Sequence, residues 1–187
     1  MKQRILSALC AAMLLVGVLS AGEALRSGPQ VGSSKIPAFN PLNCTGAHEG
    51  KRTCLVRLNG GNPVAMIFAR DVSAPLTRLI KMIDEATARN SKARMGSFVV
   101  FLSDTIGSKQ LKELATRERL RHCVLSLHAP DGPKGYGLAR EADVTVVPYR
   151  NRHVMANHAF RKGELNDAAI SKILADVPKI LPKAKAR

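Results

Sequence analysis

The sequence predicts an α/β fold, a three-layer sandwich with a central mixed β-sheet. Two observations carry that prediction. Short apolar runs of strand length alternate with stretches whose apolar residues recur at helical spacing. A hairpin-like pair of runs then precedes one last amphipathic stretch. The alternation implies right-handed crossovers between parallel strands, and the hairpin adds antiparallel ones.

The elements follow in chain order. Cys54 to Leu58 reads as a short first strand, with Asn59 to Asn62 as a turn. Pro63 to Arg70 is nearly continuous in apolar residues, the pattern of a strand covered on both faces. A break at Asp71 to Pro75 leads into a helix over residues 76–90, with Leu76, Leu79, Ile80 and Ile83 on one stripe. Pro75 falls in its first turn, where a missing N–H matters little. Ser97 to Leu102 is a second buried strand, and Ser108 is a cap for a helix over 109–120 carrying Leu111, Leu114 and Ala115. Cys123 to Leu127 gives a third strand, and Tyr136 to Arg140 a single helical turn. Asp143 to Tyr149 and Arg152 to Phe160 form two strands joined across Arg150 and Asn151. Pro148 lacks a ladder donor, so pairing beside it is expected to be interrupted or edge-like. The final helix, 167–177, buries Ile170, Ile173, Leu174 and Val177, with Asn166 as cap and Pro178 ending or kinking it. Phe68, Phe98 and Phe101 lie in the expected core strands.

Ahead of this domain, Lys2 and Arg4 precede an uncharged apolar stretch from Ile5 to Leu19, and Gly22 and Ala24 stand as in a signal-peptidase site. Residues 1–24 therefore read as a signal peptide, so the protein is expected to be exported, periplasmic or secreted; an uncleaved membrane anchor is the alternative. About 160 residues remain, enough for one domain with a real core. Residues 25–51, rich in Gly, Ser and Pro, read as a flexible leader, and residues 182–187 as a basic tail. The chain has 29 Lys and Arg against 14 Asp and Glu, a net charge of +15. Such a balance favours weak, nonspecific contacts with anionic polymers or membrane surfaces, or is simply a solvated face. Basic residues are not interleaved with aromatic platforms, so specific nucleic-acid reading is not expected.

Export into an oxidising compartment makes Cys44 and Cys54 disulfide candidates, worth roughly 2–3 kcal/mol for so short a loop. Cys123 opens an apolar strand and reads as a buried thiol. His153 and His158 are five residues apart on an expected strand and so face opposite ways, while His48, His122 and His128 are scattered. No metal or other cofactor is expected.

This order of elements resembles the thioredoxin-like superfamily. The segment Tyr136-Gly-Leu-Ala-Arg-Glu-Ala-Asp-Val-Thr-Val-Val-Pro-Tyr149 is similar to its "YGV…PT" stretch, followed by the hairpin and Gly163-Glu-Leu165. The extra helix and strand at Ser108 to Leu127 resemble the peroxiredoxin and periplasmic thiol–disulfide branch. The likeness covers residues 52–181, and the chain is also similar to small exported thioredoxin-like proteins. It implies an active site at the strand-to-helix turn. There, where the family carries Cys-x-x-Cys, the chain reads Ser73, Ala74, Pro75 and Leu76. The family's cis-proline is replaced by Val144 before Thr145, and a non-proline cis bond costs about 3 kcal/mol, so a trans bond is expected. The peroxiredoxin Thr-x-x-Cys is absent as well.

Thiol–disulfide exchange needs a thiolate, and a serine without a neighbouring base does not replace one. The expectation is therefore an exported protein of this fold without dithiol catalysis, a binding or structural module for a protein or peptide. The alternative is a weak thiol–disulfide oxidoreductase or peroxiredoxin-like enzyme using Cys54, beside Arg57, with Cys44 as resolving partner.

Overall fold

A computed structural model of the protein describes residues 24–183. The expected signal peptide up to residue 23 and the end of the basic tail, residues 184–187, lie outside the described residues. The elements are β1 (Leu42–Asn43), α1 (Leu55–Asn59), β2 (Val64–Ala69), α2 (Ala74–Arg89), β3 (Gly96–Leu102), α3 (Ser108–Glu118), β4 (Cys123–His128), β5 (Val144–Arg150), β6 (His153–Val154), β7 (His158–Phe160), α4 (Asp167–Ala175) and α5 (Val177–Ile180). A 3-10 turn at Ser91–Ala93 joins α2 to β3.

The strands pair in the order β1-β4-β3-β2-β5-β6, with β7 also on β5. β2, β3 and β4 are parallel, as crossovers through α2 and α3 require. β5 runs antiparallel to β2, and β1 antiparallel to β4. All six residues of β2 are buried, as a strand covered on both faces must be. Pro148 faces the gap between β6 and β7, where its carbonyl accepts from Met155 N–H at 2.9 Å. The missing donor thus falls where the ladder is broken, and the expected strand from Arg152 to Phe160 becomes two short ones.

The alternation of side chains divides the core in two. On one face Ile67, Val99, Phe101, Leu125 and Val146 pack against Leu76, Leu79 and Ile80 of α2, Leu111 and Leu114 of α3, and Ile170, Ile173, Val177 and Ile180 of α4 and α5. On the other, Val64, Met66, Phe68, Phe98, Val100 and Tyr149 meet Leu55 and Val56 of α1, Ile36 and Tyr136. Each such side chain contributes about 1.5–3 kcal/mol by leaving water. Among the described residues the second face has no long helix over it. α1, an N-terminal strap of residues 24–41 and the loop 129–142 make up that outer layer.

Several expectations need correction. Residues 25–51 are no flexible leader. The strap is bonded at Gly28 N–H to Gly137 O (3.0 Å) and Gly32 N–H to Val154 O (3.0 Å), Ile36 is buried, and β1 extends the sheet. The domain therefore reaches back well before residue 52. Cys54 to Leu58 forms a helix start rather than a strand, because the Cys54 sulfur accepts from Arg57 N–H (3.4 Å) and caps it. Residues 136–140 make turns instead of a helical turn, with Gly135 and Gly137 at φ of 84° and 62°. Gly107 rather than Ser108 is the N-cap of α3. The last helix divides at Asp176, where Pro178 opens α5. Asn166 caps α4 as expected, its Oδ1 accepting from Ala169 N–H at 2.9 Å.

Candidate functional site at the start of α2

β2 ends at Ala69, whose partner in β5 is Val144. The chain then turns through Arg70, Asp71 and Val72 into α2. Ser73 is the N-cap: its Oγ accepts from Leu76 N–H (3.3 Å), and its carbonyl accepts from the Thr77 hydroxyl (3.0 Å). A cap of this kind is worth about 1 kcal/mol. Ala74 is exposed, Pro75 lies in the first turn, and Leu76 is fully buried in the helical core. The four positions that the resemblance assigns to a dithiol thus hold a cap, two turn residues and a core side chain.

The facing strand is closed in the same way. Val144 and Thr145 are buried, and the peptide bond between Asp143 and Val144 is trans like every other among the described residues. Thr145 Oγ1 shares a 2.7 Å hydrogen bond with Ser27 Oγ, which also accepts from Ala139 N–H (3.1 Å). Asn157 Nδ2 donates to the Ser27 and Pro29 carbonyls, both at 2.9 Å. Gly28, at φ 77°, brings the strap so close that a Cβ there would stand 3.0 Å from Thr145 Cγ2. What remains is a void of about 150 Å³ lined by Ser27, Phe68, Leu138 and Thr145, too narrow for a water-sized sphere. The space beside Thr145 is therefore filled by the chain's own strap.

Two charged groups shape the rim. Arg70 donates from Nε to Ala142 O (3.0 Å), from Nη1 to Pro130 O (2.8 Å) and from Nη2 to Ala139 O (3.2 Å), tying the loop 129–142 to the end of β2. Asp143 follows that loop, with Asp71 near it. Burial and the Asp71 charge push the Asp143 carboxyl above its ordinary value, against the pull of Lys162 and Arg70. Carboxylates do not take part in disulfide exchange, which needs a thiolate.

The three cysteines among the described residues lie elsewhere, and all three are free and buried. Cys44 sits in the helical core, facing Ser108 and Lys112 of α3, and burial raises its thiol pKa. Cys54 belongs to the core on the opposite face, beside Tyr149 and Tyr136. The expected Cys44–Cys54 disulfide is not formed, because the sheet stands between the two thiols. The same separation removes Cys44 as a resolving partner for Cys54. Cys123, at the start of β4, is pushed up to about 12 by burial.

Sequence reading missed Ser27, Arg70, Asp84 and Asp143. Asp84, in the middle of α2, accepts from the N–H groups of Arg121 (3.0 Å), His122 (2.7 Å) and Cys123 (2.7 Å), which fixes the entry into β4. A charged residue on an apolar helix stripe was the available signal for Asp84. Ser27 and Arg70 act on partners 60 or more residues away, which no local pattern reveals.

The architecture is the thioredoxin-like fold. An uncharacterized thioredoxin-like protein from Porphyromonas gingivalis superposes with a TM-score of 0.60 at 18% identity, over 84% of this chain and 97% of the other. The peroxidoxin BcpB of Mycobacterium tuberculosis matches with a TM-score of 0.54 at 16% identity, covering 84% and 99%. A secreted Mycobacterium tuberculosis disulfide oxidoreductase homologous to DsbE matches at 0.51 and 12% identity, covering 75% and 95%. The likeness is one of fold. No protein-family model matches the sequence, and no curated protein does.

Proposed function

We propose that this protein is an exported thioredoxin-fold module that works without dithiol chemistry, as a binding or structural component. The observation that carries the reading is the start of α2, where Ser73 is consumed as a helix cap and Leu76 as core. Thiolate activation by a helix N-terminus has no sulfur to act on there. The three thiols of the described chain lie buried, two of them on opposite faces of the sheet. Export rests on the basic start and apolar run of residues 2–19. A partner of protein or peptide type would meet the rim around Asp71 and Asp143 rather than a cleft.

Insulin reduction and peroxide consumption test this directly. The purified protein is expected to run at the rate of a buffer control with dithiothreitol. The Ser73→Cys, Leu76→Cys double variant is expected to gain measurable insulin reduction only. Turnover by the unaltered protein that is abolished by Cys54→Ser would overturn the reading.

A further inference from the structure

We propose that the end of the sheet opposite the α2 N-terminus is a binding surface for a phosphodiester polymer, formed where arginines from the loops before β3 and β4 and the β5–β6 turn meet in one row. The strand register sets the row. Val64, Gly96 and Cys123 begin three parallel strands and Tyr149 pairs with Val64, so the loops beside them share one end of the molecule. Asp84 anchors one of these loops through three backbone N–H groups, so Arg121 projects from a fixed support.

The cations there outnumber what the protein neutralises. Arg89 pairs with Glu85 and Arg117 with Glu118. Among the described residues, Arg57, Lys92, Arg94, Arg119, Arg121 and Arg152 are exposed and have no carboxylate within ion-pair distance.

The backbone supplies an independent observation. Among the described residues, four non-glycine residues have positive φ, and three are arginines of this row: Arg94 at 55°, Arg119 at 56° and Arg152 at 59°. Glycine fits such positions without the Cβ clash that an L side chain suffers. Helix-end electrostatics favour a cation at Arg119, which caps α3, but Arg152 stands in a hairpin turn with no helix behind it. The fold thus keeps guanidinium groups where its own geometry prefers none, and gives them no internal partner.

The chemistry of the row selects the ligand. Arginine's planar fork matches a phosphate bidentately. Neighbouring strands lie about 4.8 Å apart, so a row from β4 through β3 and β2 to β5 spans about 14 Å at the backbone. Several groups of one charged chain fit along it together. Among the described residues the exposed large apolar side chains are Val31, Leu58 and Met82, too few for an apolar face that would enter a bilayer. Tyr149 is buried, so no aromatic platform reads bases, and recognition is of the backbone alone.

The test measures anisotropy of a labelled single-stranded DNA oligonucleotide of mixed sequence over a salt series. It compares the purified protein with the Arg94→Gly, Arg119→Gly, Arg152→Gly variant. A control variant, Lys109→Ala, Lys134→Ala, Arg140→Ala, removes equal charge from the other end. The row variant is expected to bind about tenfold or more weakly at low salt, and its slope of log K against log salt to be shallower by about 2, at about 0.7 per lost phosphate contact. Its thermal midpoint stays level or rises, because glycine relieves the positive φ. The control is expected to keep the unaltered slope. Equal losses in both variants would reduce the effect to net charge. An unchanged slope in the row variant, or binding to phosphatidylserine vesicles but not to DNA, would overturn the proposal.

Discussion

Replacing Asp84 by alanine leaves the N–H groups of Arg121, His122 and Cys123 without the acceptor they share. Each unsatisfied buried donor costs about 1–3 kcal/mol, and the effects do not add fully. Asp84→Ala is therefore expected to lower unfolding stability in urea by about 3 kcal/mol. Asp176 supplies the pH dependence at this scale. Burial raises its carboxyl, but hydrogen bonds from Lys179 and His158 outweigh burial and hold it below its ordinary value. A carboxyl depressed in the folded state stabilises fully above its unfolded pKa and loses that contribution as pH falls through the folded one. Urea titrations below about pH 4 should show this loss. The Asp176→Asn variant should be less stable at pH 7 and lose less on acidification.

Among the elements, the N-terminal strap departs furthest from what its sequence suggests. Residues 25–51 have no periodicity, yet within them the strap covers a sheet face that, among the described residues, lacks a long helix, and Leu42–Asn43 extends the sheet. Their hold comes from Ser27, Gly28 and Gly32 acting on residues more than 100 positions away, so local pattern carries no trace of it. The β2, β3 and β5 strands and the α2, α3 and α4 helices were legible because burial imprints a period on the sequence. α1 was misread because five residues, Leu55 to Asn59, are too few to separate one period from another. At the site, the loss of sulfur at Ser73 and Leu76 was legible; their roles as cap and core required the packing. Ser27→Ala removes two hydrogen bonds and is expected to cost about 1–2 kcal/mol. Gly28→Val adds a clash with Thr145 at positive φ and should cost more. Hydrogen exchange should show both variants releasing amide protection at positions 28 and 32 while β2 and β3 stay protected.

Across the whole molecule, the two sheet ends differ in character. One gathers the α2 cap, Asp71 and Asp143; the other presents arginines, and the strap runs from Thr145 toward Val154 between them. The three thiols of the described residues are buried and, for Cys44 and Cys54, on opposite sides of the sheet. On the proposed reading the thioredoxin-like framework works without sulfur chemistry at the start of α2, where residues 73–76 include no cysteine. Redox titration of the purified protein tests this most directly, by equilibration in glutathione buffers of stepped potential, acid quenching, alkylation and intact mass. The expected result is no intramolecular two-electron transition at any potential, with Cys44, Cys54 and Cys123 alkylated together only after unfolding. A defined midpoint at which two of these cysteines lose their thiols as a pair would contradict the account.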